Sequence, residues 1–161
     1  MPEFLIQAKK IYYRILIEKN KMKRIFLDAN VIIDFLNKSS VYHQQAKETI
    51  TIVRKHYGRP FISTTTFAIA YFMFEKFISK KLALNKIVKA IFSEFEFTTE
   101  YPEIMKEVLN SKFTDLEGAL QYFSAVFLPV DLIITRNTHD YYLSKIPVLL
   151  PAEFIELYYN S

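Results

Sequence analysis

Cysteine is absent from the 161 residues, and glycine occurs only twice, at Gly58 and Gly118. Without thiols there are no disulfides and no thiolate metal sites, which fits a reducing cytoplasm and leaves oxygen or histidine to hold any metal. The three histidines, His43, His56 and His139, are scattered without metal-ligand spacing and point to loops and surface. So few glycines leave no Gly-rich loop to cradle a chain of phosphates. Also lacking is any apolar run near the roughly 20 residues that cross a bilayer. The opening MPEFLIQAKK has neither the long apolar stretch nor the small-residue cleavage site of a secretory signal. The expectation is a cytoplasmic protein with no membrane partner.

What the sequence has in quantity is apolar surface. Hydrophobic residues make up 51% and aromatics 16% of the chain, enough for one domain with a substantial core and not for two. The net charge of +4 is unevenly placed: residues 1–24 carry seven Lys or Arg against Glu3 and Glu18, while the rest holds 14 basic and 15 acidic residues. A basic arm on a nearly neutral body favours a solvated segment over a nucleic-acid-binding face. Residues 1–21 are therefore a basic N-terminal extension, and residues 22–161 are the domain. The extension is either a helix with an apolar stripe of Ile11, Tyr12, Ile15 and Leu16 or the product of a misplaced start.

Along the domain, Arg24–Leu27 is a short apolar strand that ends in Asp28, and ANVIIDFLN follows with helical spacing and Asn30 as a cap. Val41–His56 is an amphipathic helix stopped by Gly58-Arg59-Pro60, and Phe61–Ser63 is a second strand. Helices are expected over Thr64–Lys81, capped by its threonines, over Ala83–Phe95 and over Pro102–Ser111, with a short strand at Phe95–Thr98. Thr114–Phe127 is a further helix, Asp131–Thr135 a buried strand, Arg136–Ser144 a polar loop or short helix, Lys145–Leu150 an edge strand, and Pro151–Tyr158 a closing helix. Short β-branched strands alternating with helices make this an α/β domain with a parallel sheet covered on both faces.

Functional side chains in such sheets collect at the carboxyl ends of the strands. Asp28 and Asp140 meet that condition, although a carboxylate at a helix start is also an ordinary turn residue. Asp34 either supports the site from behind or is a surface acid. Ser63 follows the second strand, but no triad partners can be assigned to it. Glu75 is explained by a surface ion pair, and Tyr141 and Tyr142 beside Asp140 are the best candidates for stacking on a base.

KRIFLDANVIIDFL, FTDLEGALQYFSA and DLIITRNTHDYYLSKIPVLLPAEF, in that order over roughly residues 22–156, together resemble a PIN domain of the branch often found in bacterial toxin–antitoxin pairs. The resemblance implies a PIN-like three-layer α/β/α sandwich with a central parallel sheet of four to five strands. It also implies an endoribonuclease that uses Mg²⁺ or Mn²⁺ on single-stranded RNA, with an antitoxin protein and a homodimer as further partners. Carboxylates suit such an ion because it prefers oxygen ligands and keeps waters that a phosphate can displace. Asp28 matches the family's first metal-site acid, Asp140 an acid near the site, and Asn137 a position for Asp or Asn. Thr135 matches a hydroxyl position, and Arg136 stands where it could reach phosphate or form an ion pair. Asp115 and Glu117 match the start of the pattern Asp-x-Glu-Asp-Ala-Leu-Gln.

The departure lies one residue later, where Gly118 stands in place of a central acidic ligand. No acid matches the family's additional position in the helix after the second strand either, since Ala68 and Ile69 offer no ligand. Thr114 and Glu117 fit a capping box, which explains Glu117 without a metal, whereas Asp115 points to the same region as position 118. The expected site is thus Asp28, Asp115 and Asp140, with Glu117 a weaker candidate and Asp34, Thr135, Arg136 and Asn137 in support. The competing expectation is a catalytically impaired PIN-fold protein that binds RNA or a partner.

Overall fold

The computed structural model describes residues 8, 11–15, 22–76 and 79–160, the side chains of 83 and 92 excepted. Five parallel strands form one sheet: β1 (Ile25–Leu27), β2 (Phe61–Ile62), β3 (Glu96–Phe97), β4 (Leu132–Ile134) and β5 (Val148–Leu149). Their spatial order is β3-β2-β1-β4-β5, and β1 pairs with β4 in the register Ile25 to Leu132, Phe26 to Ile133 and Leu27 to Ile134. The order reverses at β1, so the cleft beyond the carboxyl ends of β1 and β4 is the topological switch point where this class of sheet binds ligands.

Among the described residues from 22 on, seven α-helices join or follow the strands: α1 (Ala29–Leu36), α2 (His43–His56), α3 (Thr64–Glu75), α4 (Lys80–Glu94), α5 (Pro102–Asn110), α6 (Leu116–Phe127) and α7 (Pro151–Tyr159). Alternation along the strands sorts the core into two faces. Ile25, Leu27, Leu132 and Ile134 pack with α1, α2, α4 and α7, whereas Phe26 and Ile133 pack with Tyr122 and Ala125 of α6. Helix α5 closes over the outside of α6 through Ile104, Val108 and Ala119. The result is the expected three-layer arrangement, with five strands.

Each strand is shorter than the sequence indicates, because its flanking residues are taken up by turns and caps. Pro147 precedes β5 and serves only as an acceptor, from the Ile133 N–H at 2.9 Å. Gly58 turns the chain out of α2 with φ +91°, a conformation glycine adopts without strain. Three caps differ from expectation. Helix α1 is capped at Asp28 rather than Asn30, α3 at Ser63 rather than its threonines, and α6 at Asp115 rather than Thr114. The Ser63 hydroxyl accepts from the Thr66 N–H at 3.0 Å, which leaves the threonine side chains free for other bonds. The Thr64–Lys81 helix ends at Glu75, whose carboxylate pairs with Lys80 at 2.9 Å.

The apolar stripe suggested for the N-terminal extension does not face the core where it is described. Residues 11–15 are helical, but Ile11, Tyr12 and Ile15 are exposed, and Leu16 lies outside the described residues. Tyr13 is the buried one, part of the core that α7 covers, and burial followed by the nearby Glu153 carboxylate pushes its phenol up to about 12. Burying such a ring contributes about 2 kcal/mol. Tyr13→Ala is therefore expected to lower the unfolding free energy by about that amount in urea denaturation, and an unchanged midpoint would show that the segment adds nothing to the core.

Candidate active site

Two strand ends meet at the switch point. Asp28 follows β1 and Thr135 follows β4, and the parallel register that pairs Leu27 with Ile134 sets them side by side. The Asp28 N–H donates to the Ile134 carbonyl at 3.1 Å, so the ladder runs right up to the acid. The Thr135 hydroxyl donates to Asp28 Oδ2 at 2.5 Å, and Asn30 Nδ2 donates to the same oxygen at 2.7 Å. The Thr135 oxygen in turn accepts from Asn30 Nδ2 and from the Asn137 N–H, each at 3.0 Å, while Asn30 Oδ1 accepts from the Arg136 N–H at 3.0 Å. The two bonds to Oδ2, themselves braced by the turn after β4, fix the carboxylate's orientation. Asn30 thus orients the acid and the turn after β4.

Behind Asp28 runs a second, fully buried chain of polar groups. Gln121 Oε1 on α6 accepts from the Ala29 N–H at 2.9 Å and from the Thr66 hydroxyl at 2.9 Å, and Thr66 is joined to Ser63 at 3.1 Å. It links the ends of β1 and β2 across α6. Burial pushes the Asp28 carboxyl above the ordinary value. Hydrogen bonds from Thr135, the Ala29 backbone and Gln121 favour its charge, and the neighbouring Asp140 carboxylate opposes it.

Asp140 sits on a 3₁₀ turn, Thr138–Tyr141, and its Oδ2 accepts from the Asn137 amide. The next residue, Tyr141, is buried, which rules out the stacking on a base suggested by its place beside Asp140. Its hydroxyl is enclosed and lacks a closed hydrogen bond, although it approaches the Asp28 carboxylate. Burial, and then the charges of Asp28, Asp140 and Asp115 in that order, push its phenol well above the usual tyrosine range. Three carboxylates thus converge electrostatically on one buried hydroxyl. Tyr142 is 54% exposed, with its hydroxyl donating to the Lys112 carbonyl at 2.8 Å.

The third acid arrives from α6. Asp115 is the N-cap, and its Oδ2 accepts from the Gly118 N–H at 2.6 Å. The capping box expected of Thr114 and Glu117 does not form; Glu117 is exposed in the first turn. Asp34 is buried rather than on the surface: it accepts from the Ser40 hydroxyl at 2.6 Å and pairs with Arg136 Nε at 2.5 Å. Arg136 also lies 4.5 Å over the Tyr42 ring, held at the rim beside Asn30. The histidines stand apart: His43 contacts the Asp34 carbonyl, His56 meets Tyr158, and His139 lies against Tyr142.

The donors at the strand ends are oxygen throughout, the carboxylates of Asp28, Asp115 and Asp140 with the hydroxyl of Tyr141 among them. Their chemistry fits a hard divalent cation. Among the described residues, no three His, Cys, Asp or Glu side chains are drawn together closely enough to enclose an ion. Binding would therefore draw the acids inward. None of the described helices is long and apolar enough to cross a membrane.

Asn30, Thr66 and Gln121 are the site residues that sequence reasoning missed. The signal for Gln121 was a polar side chain at a core position of an otherwise apolar helix, ALQYFSA. A family model of the PIN domain matches residues 24–139 of this chain, from the start of the first strand to the turn before Asp140. Ribonuclease VapC1 of Aquifex aeolicus (strain VF5) is 30% identical over 138 residues, covering 83% of this chain and 94% of that protein.

Proposed function

The chain belongs to the PIN domain family, and from that membership we propose that it is a divalent-metal-dependent endoribonuclease, the toxin of a toxin–antitoxin pair. The observation that carries this reading is the oriented Asp28 carboxylate at the switch point, with Asp140 and Asp115 facing the same buried hydroxyl. The likeness to a protein named a ribonuclease supports an RNA substrate, and single-stranded RNA and an antitoxin partner follow from the resemblance to the toxin–antitoxin branch.

Asp28, Asp115 and Asp140 would hold Mg²⁺ or Mn²⁺, which when bound offsets the charge that develops on the phosphate oxygens. The protein's own part is positional. Thr135 and Asn30 fix Asp28, Asn137 holds Asp140, and Asp34 keeps Arg136 at the rim where a phosphate would pass. Glu117 is a weaker ligand candidate because it is exposed in the first turn of α6. The protein acts in the cytoplasm and pairs as a homodimer in this reading.

A second reading keeps the fold and RNA or partner binding but not cleavage. It is favoured by Gly118, which offers no carboxylate, and by the unclosed spacing of the acids among the described residues. Metal removal separates the two. Purified protein incubated with single-stranded RNA is expected to cleave with Mn²⁺ or Mg²⁺, to lose about 100-fold or more of its rate in EDTA, and to recover on metal addition. Cleavage that persists in EDTA would overturn the metal assignment, and RNA binding without cleavage under any of these conditions would favour the second reading.

A further inference from the structure

We propose that Gly118 is a positioning residue whose missing side chain lets Asp115 take its place as the third acid of the site. The inference rests on the cation-binding reading above and deepens it. A Cβ built at Gly118 would lie 2.7 Å from Asp115 Oδ2, far inside van der Waals contact, and 3.5 Å from Asp140 Cβ. The space beside Asp140 that a side chain at 118 would fill therefore holds a carboxylate oxygen from three residues earlier.

The local chemistry explains why the oxygen goes there. Gly118 is the third residue of α6, where the backbone N–H has no partner within the helix, and Asp115 Oδ2 accepts from it at 2.6 Å. The helix dipole favours the negative charge at this point. One oxygen is thus used to seat the side chain, while among the described residues no hydrogen bond engages Oδ1. Close by, on the turn that carries Asp140, the Tyr141 hydroxyl is enclosed and lacks a closed hydrogen bond. A buried hydroxyl with no hydrogen bond leaves its oxygen available to a further group.

Asp115 ends a flexible side chain, so alanine at 118 would displace the carboxylate rather than break the fold. Mn²⁺ affinity, measured by calorimetry or electron paramagnetic resonance on the full chain, tests the idea. Gly118→Ala is expected to weaken Mn²⁺ binding about 10-fold, because it retains every carboxylate but moves one. Asp115→Asn should weaken it to a similar extent with little change in melting temperature, since asparagine caps a helix as well as aspartate does. The two together should be no worse than either alone. Moving the acid, by Asp115→Ser with Gly118→Asp, should restore affinity to within about 3-fold of the wild type. Unchanged affinity in both Gly118→Ala and Asp115→Asn, while Asp28→Asn still abolishes binding, would overturn this inference and leave the cation reading standing. Wild-type protein that binds no Mn²⁺ would overturn both.

Discussion

Asp28→Asn is expected to reduce cleavage of single-stranded RNA about 1000-fold or more while leaving a protein that melts no lower than the wild type. The loss follows from position: the acid ends the central strand, and two side chains fix its Oδ2. The preserved stability follows from the direction of its titration. Folding raises the Asp28 carboxyl above 3.8, chiefly by burial. A raised carboxyl contributes stability below its unfolded pKa and loses it as pH climbs through the folded value, so at neutral pH the ionised group opposes folding. Asparagine removes that charge, and its carbonyl oxygen still accepts from Thr135 and Asn30. The melting advantage of Asp28→Asn should shrink as pH falls toward 3.8. A variant that retained full cleavage would dismiss the site, and one that melted well below the wild type would show that the charge itself supports the fold.

Gln121→Leu should cost about 3–5 kcal/mol, the largest stability loss expected of any site residue. Leucine fills a similar volume, so the penalty is not a cavity. It strips partners from the Ala29 N–H and the Thr66 hydroxyl, both buried, and removes an amide that favours the Asp28 charge. Each buried group left without a bond costs about 1–3 kcal/mol. Chemical denaturation measures the sum. Gln121→Glu offers a contrast, since it keeps the acceptor but adds a charge beside Asp28. A Gln121→Leu variant within about 1 kcal/mol of the wild type would show that water replaces the amide.

How much of this was legible in the sequence depended on distance along the chain. Asp28 and Thr135 could be found because each directly follows a compact apolar run, IFL and LII, and a parallel sheet exposes whatever comes next. Gln121 was harder to place: ALQYFSA marks a polar residue at a core position, but its partners lie 92 and 55 residues away, beyond the reach of local pattern. Local pattern favoured Thr114 as the cap, since Thr114 and Glu117 fit a capping box, but without a Cβ at Gly118 the Asp115 carboxylate reaches the Gly118 N–H instead. Tyr141 looked accessible beside Asp140, yet the tight 3₁₀ turn directs the two side chains differently, one to the rim and one into the core. Arg136 and Asp34 were each noted singly, and only the crossing of α1 behind the β4 turn joins them.

The pairing of the first strand with the fourth also sets a schedule. Asp28 is made before its hydroxyl partner, which is 107 residues further along, and Asp140 and Tyr141 come later still. At about 5–20 residues per second, that separation is on the order of 10 s of synthesis. A growing chain ending anywhere before β4 has the first acid and none of the groups across the switch point. The acids of the site can therefore come together only after β4 and the turn that carries Asp140 have been made, and the order of the strands sets that delay.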